Sequence, residues 1–466
     1  MQVFKVLVLV MTLLLQVSSN NHDTPKTLYI LLDGFRWDYV DLQPNLAGFQ
    51  KFLKEGVRAK WTNPIYPSLS FPTWTTLSTG LFPESHGIVG NYFFDHENND
   101  GFALFDQQGT GQKKWWSAEP IWTTATKKGI RTASIYWSRC DIEYDGILPE
   151  YCHPWVKASG ADIFHQHLNT ALEKFEEGFE FVLVYTEHVD NKGHDFGPEA
   201  EETQLAVREL DQHLKTFLDQ LETKNLTDKV NIIIVSDHGM TDTGRESVER
   251  IEIDDYLDTN LVENIADKGA FMNIKVKPEN VEQVYEQLKK IQGVDIFKHD
   301  DIPEYLHYKN HKFIHEIILK AKPGYWVLAS KDAKKMLPER SSYFFEGAHG
   351  YEGTLEDMRG IFFAKGPVLK ICPVAHRMKM IYVYLMSLHI SGRPFHGRLA
   401  QAPDVLRVWD YGIMTPTGHV NHKNHSNHQP CQQDYVLEGS SGTRPMSHTI
   451  ILVICNINSI LILLIL

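Results

Sequence analysis

The chain has 466 residues, with 46 Lys+Arg against 59 Asp+Glu, a formal net charge of −13 and 42% hydrophobic residues. That composition excludes collagen-like, coiled-coil and disordered chains. A mean hydropathy of −0.29 excludes a multi-span membrane protein, and the acidic balance argues against nucleic acid as a partner.

At the amino end, Lys5 is followed by the apolar run Val6 to Leu15 and then by Val17, Ser18 and Ser19. This reads as a secretory signal over residues 1–19, too short to span a bilayer. Thr27 to Leu32 is a β-rich run ending at Asp33. Ser70 follows in Pro67-Ser-Leu-Ser70-Phe-Pro72, and Asn91 lies 21 residues further on. Cys140 and Cys152 are spaced to close a small loop. Leu168 to Phe175 has helical periodicity. Phe179 to Tyr185 is a second strand, running into Glu187 and then Asp190 and His194, a D-x-x-x-H pair. Glu201 to Leu221 is a longer helix, with Leu205, Leu210, Leu214, Phe217 and Leu221 at helical spacing. Val230 to Val235 is a third strand, ending at Ser236-Asp237-His238. Near-continuous apolar strands alternating with helices predict a doubly wound α/β sheet, mostly parallel and covered on both faces. Phe271–Val276 and Val281–Ile291 read as a strand and a helix of a small subdomain. His349 precedes Gly350-Tyr351. From Arg359 to Pro403 there is no Asp or Glu, and three Asn-His triplets begin at Asn421, Asn424 and Asn427.

The carboxyl end is an uncharged apolar tail of 18 residues, Thr449–Leu466, preceded by Gly439, Ser440, Ser441, Gly442 and a polar spacer. Small residues, spacer and terminal apolar tail predict a glycosylphosphatidylinositol (GPI) signal, with attachment at Ser440 and removal of 441–466. The alternative is a transmembrane tail. Both ends place the mature chain, 20–440, at the extracellular face of the plasma membrane. Sequons at Asn225 and Asn424 fit that location. Cys372 and Cys431 either pair, or leave Cys431 to link a second copy as a disulfide-bonded homodimer.

The polar groups gather where strands end, which is where open α/β sheets bind their ligands. Three Asp, three His and one Ser suit two Zn²⁺ ions with mixed carboxylate and imidazole ligation. Two metals about 4 Å apart clamp the attacking and leaving oxygens of an in-line phosphoryl displacement.

In order, Leu32-Asp33-Gly-Phe-Arg, Ser70-Phe-Pro, Gly-Asn91-Tyr, Asp190 with Gly193-His194, Ser-Asp237-His238-Gly-Met and His349-Gly-Tyr resemble the ectonucleotide pyrophosphatase/phosphodiesterase family of the alkaline-phosphatase superfamily. The resemblance covers residues 27 to about 370 and implies an alkaline-phosphatase-like fold. It implies that Asp33, Ser70, Asp237 and His238 hold one zinc, and Asp190, His194 and His349 the other. Ser70 would form a phosphoryl-enzyme intermediate, and Asn91 would donate its side-chain amide to the phosphate. Residues Ser70, Asn91, Asp190, His238 and His349 would contact the substrate. This chain departs from the family in carrying Ser rather than Thr as nucleophile and Thr73 where the family has Asn. Residues 371–430 match the family poorly and read as divergent.

The Ser nucleophile, the Cys140/Cys152 spacing and the tail look most like the choline-specific branch of the family. Its substrates are glycerophosphocholine and lysophosphatidylcholine. A quaternary ammonium is held by aromatic faces, for which Tyr151, Trp155 and Tyr185 are the candidates. The competing readings are a nucleotide pyrophosphatase/phosphodiesterase and an inactive cell-surface binding protein on the same fold.

Overall fold

The computed structural model describes residues 25–156, 160–329, 336–337, 345–369, 372–375, 378–380 and 383. The expected signal, Asn424, Cys431, Ser440 and the apolar tail lie outside these described residues. Among the described residues no helix is long and apolar enough to cross a membrane.

The core is an eight-stranded sheet. Its strands run in the order Cys372–Ala375, Val57–Ala59, Phe362–Lys365, Val230–Val235, Lys26–Leu32, Phe181–Thr186, Thr132–Ile135 and Tyr151–His153. All neighbours pair in parallel except Phe362–Lys365, which is antiparallel to both of its neighbours. The three expected strands are therefore adjacent at its centre. Every residue of Phe181–Thr186 and of Val230–Val235 is buried, as a strand covered on both faces requires.

Alternation along these strands builds two cores. Leu28, Ile30, Val182, Val184, Ile232 and Ile234 face the helices Ala47–Glu55, Ala161–Glu176 and Glu201–Thr223. Tyr29, Leu31, Leu183, Tyr185, Ile233 and Val235 face the other way, against the helix Ser70–Thr79 and the helix Ile121–Lys127. A second sheet, ordered Val294–Lys298, Ile317–Ala321, Phe271–Val276, Val262–Ala266 and Met336–Leu337, packs with the helix Val281–Leu288 around a third core. This is the expected small subdomain, with a helix shorter than the periodicity predicted. Leu205 also departs from expectation, at 46% exposed. The buried stripe of its helix runs through Ala206, Leu210, Leu214, Phe217 and Leu221, and Leu205 lies about 100° round the helix from Ala206.

Cys140 and Cys152 form a disulfide with Cα atoms 5.8 Å apart. Asn225 is exposed, at the turn after the helix Glu201–Thr223.

The helix Ala47–Glu55 opens after Leu46, whose side chain has no oxygen to cap it. Asp211, buried on the neighbouring helix, supplies the acceptor instead. Its Oδ1 takes the Phe49 N–H at 2.8 Å, and the carboxylate also faces the N–H groups of Ala47 and Gly48. This is a cap provided by tertiary contact, and it meets the positive end of the helix dipole. Asp211→Ala is expected to cost about 1–3 kcal/mol, because it strands buried N–H donors. A lowered urea midpoint with retained turnover is the outcome to measure.

Candidate metal centre and nucleophile

Parallel strands bring their carboxyl ends to one edge of the sheet, so Asp33, Glu187 and Asp237 emerge together. Gly34 makes this crowding tolerable. It sits at φ 64°, and a Cβ there would lie 2.7 Å from the Asp190 carboxylate. Asp190 and His194 are one turn apart on the helix His188–Phe196 and so share a face. His349 arrives from the other side, just after Gly347–Ala348, which pairs with Thr241–Asp242.

These residues form two groups, Asp33/Asp237/His238 and Asp190/His194/His349. The ligand atoms of each lie within 4.8 Å of one another. In the first, His238 Nε2 is 3.2 Å from Asp237 Oδ2 and 3.5 Å from Asp33 Oδ1. Ser70 Oγ is 3.3 Å from the same nitrogen. In the second, Asp190 Oδ2 is 3.4 Å from His194 Nε2, and Asp190 Oδ1 is 3.7 Å from His349 Nε2. The His238 and His349 rings stack with centroids 3.5 Å apart and join the two groups.

The outer contacts fix which nitrogen faces inward. Nδ1 of His238 meets the Gly239 carbonyl at 3.0 Å, that of His194 meets the Gly347 carbonyl at 2.7 Å, and that of His349 meets the Ser68 carbonyl at 3.0 Å. A carbonyl only accepts, so each Nδ1 carries the proton and each Nε2 presents a lone pair. Burial holds these rings neutral. It lowers His194 to about 4, lowers His238, and takes His349 well below the usual range, the last helped by His238 and His194.

Asp237 is held by its Oδ1, which accepts the N–H groups of Gly34 and His238 at 3.1 and 2.9 Å, and by its Oδ2, which accepts Trp74 Nε1–H at 2.7 Å. Tyr185 donates its hydroxyl to Asp33 Oδ2. The inward oxygens Asp33 Oδ1 and Asp190 Oδ1 are buried and have no hydrogen-bond partner. Desolvation raises both carboxyls well above their normal range. Repulsion from Asp237 and Asp190 adds to the effect at Asp33, and repulsion from Asp237, Glu187 and Asp195 adds to it at Asp190. Meanwhile the Nε2 atoms of His194 and His349, both acceptors, face each other at 3.2 Å. A partnerless carboxylate oxygen in each group, and opposed imidazole lone pairs in the second, are donors of the kind a divalent cation needs.

Ser70 is the first residue of the helix Ser70–Thr79, so the helix dipole favours negative charge on its oxygen. Asn91 accepts the Phe71 N–H through Oδ1 at 3.0 Å, which leaves its Nδ2 as the group able to donate beside Ser70. The two groups expected to hold metal, Ser70 and Asn91 are thus brought together.

The aromatic candidates are not assembled into a cage. Tyr185 is 1% exposed, with its hydroxyl on Asp33 and its ring against Trp74. Trp155 is buried and donates Nε1–H to Glu187 Oε2 at 2.8 Å. Tyr151 lies under Lys174, whose Nζ is 4.3 Å from its ring centroid, at the amino end of its strand and away from the site. What sequence reasoning missed is Trp74, although its place one helical turn after Ser70 was the available signal. It also missed that Tyr185 serves Asp33.

A mostly parallel sheet with helices on both faces, and two Asp/His clusters beside a Ser at a helix amino end, define a metal-dependent phosphodiesterase of alkaline-phosphatase-like fold. The family model for type I phosphodiesterase / nucleotide pyrophosphatase matches residues 27–352, and the chain belongs to that family, the ectonucleotide pyrophosphatase/phosphodiesterases. Among curated relatives, human ectonucleotide pyrophosphatase/phosphodiesterase family member 5 is 31% identical over 390 residues, covering 82% of this chain and 78% of the relative. Bis(5'-adenosyl)-triphosphatase enpp4 of Xenopus laevis is 29% identical over 396 residues, covering 83% and 82%. The solved structure of human member 5 superposes with a TM-score of 0.72 at 30% identity, covering 82% of this chain and 99% of that one. An inactive variant of murine member 5 in complex with AMP also gives 0.72, at 28% identity and the same coverage.

Because the folded protein holds Asp33 and Asp190 with raised pKa values, metal-free protein loses stability as pH rises and these carboxyls ionise. Bound divalent metal reverses that loss, while protons displace it at acid pH. Chelation is therefore expected to lower the thermal midpoint at pH 8, with readdition of Zn²⁺ restoring it. The metal-dependent increment should vanish toward pH 4, which differential scanning calorimetry measures.

Proposed function

We propose that the chain hydrolyses phosphodiester and pyrophosphate bonds of nucleotides, with Ser70 as nucleophile. The observation that carries this reading is the position of Ser70 Oγ. It sits at a helix amino terminus, 3.3 Å from His238 Nε2, within reach of the first acidic cluster and beside the Asn91 amide.

Asp33, Asp237, His238 and Ser70 would hold one Zn²⁺, and Asp190, His194 and His349 the other. Bound there, the ions supply Lewis acidity and a lowered pKa for the oxygens they touch. As Ser70 Oγ attacks phosphorus, the P–O bond to the leaving group breaks, the leaving oxygen takes up the proton that Ser70 gives up, and a phosphoryl-Ser70 ester forms. Water then cleaves that ester, its oxygen bonding to phosphorus and one of its protons going to Ser70 as the phosphoryl product leaves. Asn91 Nδ2–H donates to a non-bridging oxygen, where charge develops in the transition state. Trp74 and Tyr185 hold Asp237 and Asp33 in place.

Two observations favour nucleotides over choline esters. Tyr151, Trp155 and Tyr185 are occupied with other partners and form no ring of faces around one point. Lys268, half-buried, places its Nζ 5.6 Å from the centroid of Phe345, whose ring lies 4.6 Å from that of His194. Positive charge on the His194 side of the site suits a phosphate leaving group better than glycerol. The murine relative that binds AMP and the frog relative named as a triphosphatase support the same class.

Ser70→Ala is expected to lower kcat at least about 10³-fold with folding and metal content unchanged. Turnover of thymidine 5′-p-nitrophenyl phosphate should exceed that of p-nitrophenylphosphocholine. The reverse ranking restores the choline reading, and near-normal activity in Ser70→Ala removes Ser70 as nucleophile.

The Cys140–Cys152 disulfide supports an oxidising, extracellular location, and the expected tail supports a GPI anchor. Phosphatidylinositol-specific phospholipase C is expected to release the protein from intact cells. Retention on the cell with residues 449–466 still present marks a transmembrane tail instead.

A further inference from the structure

A turn of the smaller domain reaches the catalytic edge of the larger one. It links Val262–Ala266 to Phe271–Val276, and within it Asp267 and Gly269 adopt φ 65° and 85°. A left-handed conformation is easy for Gly269 but unfavourable for Asp267, and such a residue persists only where its surroundings over-determine it. Two anchors do so here. Gly269 exchanges backbone hydrogen bonds with Val327 at 2.7 and 3.1 Å, and the Trp326 ring fills the space where a Cβ on Gly269 would stand. On the other side, the Asp267 side chain is 5% exposed and turned toward the segment Gly90–Tyr92. Its Oδ2 accepts the Tyr92 N–H at 3.2 Å, and the carboxylate also takes the Asn91 N–H. Gly90 is required by this approach, since a Cβ there would lie 2.4 Å from Asp267 Oδ2.

We propose that Asp267 is a positioning residue for phosphoryl transfer, holding the backbone of Asn91 and Tyr92 so that the Asn91 amide stands beside Ser70. The chain of contacts is direct. Asp267 grips the Asn91 backbone, and the Asn91 side chain accepts the N–H of Phe71, next to the nucleophile. The smaller domain thereby sets the geometry of the larger domain's reaction, through one side chain on a strained turn. The inference rests on the reading of Ser70 as nucleophile and Asn91 as oxyanion donor. Burial pushes the Asp267 carboxyl up to about 8, against the pull of the two N–H groups. An acceptor of the same shape without charge therefore serves nearly as well.

The test is steady-state kinetics on the full-length, metal-loaded enzyme with bis-p-nitrophenyl phosphate, a substrate that presupposes neither a base nor choline. Asp267→Ala is expected to lower kcat roughly 10- to 100-fold with KM changed less than about 3-fold, as for a misplaced oxyanion donor. Asp267→Asn should recover most of that loss. In an Asn91→Ala background, Asp267→Ala should change kcat by less than about 2-fold, because the group it positions is already gone. Equal effects of Asp267→Ala in both backgrounds, a wild-type kcat in Asp267→Ala, or an Asp267→Asn as slow as Asp267→Ala would overturn the proposal. Where Asp267→Ala does not fold, Gly90→Ala displaces the carboxylate from the same N–H groups and is read by the same criteria. A wild-type kcat in Asn91→Ala overturns the Asn91 reading and this proposal with it. A slow Asn91→Ala beside a fully active Asp267→Ala overturns the positioning role alone.

Discussion

Three carboxylates and three neutral imidazoles, all buried but the half-buried His194, gather at one edge of a sheet, and the cost of keeping them there organises this protein. Inward oxygens of Asp33 and Asp190 have no hydrogen-bond donor, and a buried charge without a partner is strongly unfavourable. Protons offset that cost at low pH, and divalent cations offset it at the pH of the reaction. Every outer contact is arranged for the second case. Backbone carbonyls hold the three Nδ1–H groups, Trp74 and Tyr185 hold carboxylate oxygens from behind, and the lone pairs converge inward.

The sheet delivers these groups because parallel strands end on the same side. The helix Ser70–Thr79 packs on one face of those strands and points its amino end at the edge. Its dipole favours negative charge on the Ser70 oxygen, which lies 3.3 Å from His238 Nε2 of the neighbouring cluster. The opposite face carries three helices. One of them, Ala47–Glu55, depends on Asp211 of a second for its cap. Polar side chains in this molecule thus commonly serve helices or loops distant in the chain.

The aromatic residues illustrate how one residue type serves different ends. Tyr185 and Trp155 have amphipathic rings; Tyr185 uses its hydroxyl on Asp33 of the first Asp/His group, and Trp155 its Nε1–H on Glu187 beside it. Both rings are also buried among other aromatic side chains, Tyr185 at 1% and Trp155 at 4% exposed. On the His194 side, Phe345 packs against the imidazole and Lys268 lies over the Phe345 ring.

Much of this was legible in the sequence. The strands read at 27–32, 179–185 and 230–235 stood out as nearly continuous apolar runs, because burial on both faces leaves few polar residues before the strand ends. The Asp and His residues then stand out as the first polar groups after those runs, and the D-x-x-x-H spacing places Asp190 and His194 on one helix face. The ordered set of motifs was specific enough to name the family. Local pattern does not report partners distant in the chain. That Tyr185 bonds Asp33, that Tyr151 lies under Lys174, that Asp211 caps a helix 162 positions away, and that Asp267 grips the loop of Asn91 are all long-range contacts. The chemistry of the cluster was determined by residue type and spacing, since ligand identity is a property of the side chain itself. Which aromatic ring is a wall, a hydrogen-bond donor or a binding face was decided only by tertiary packing, since that depends on what the fold places against each ring.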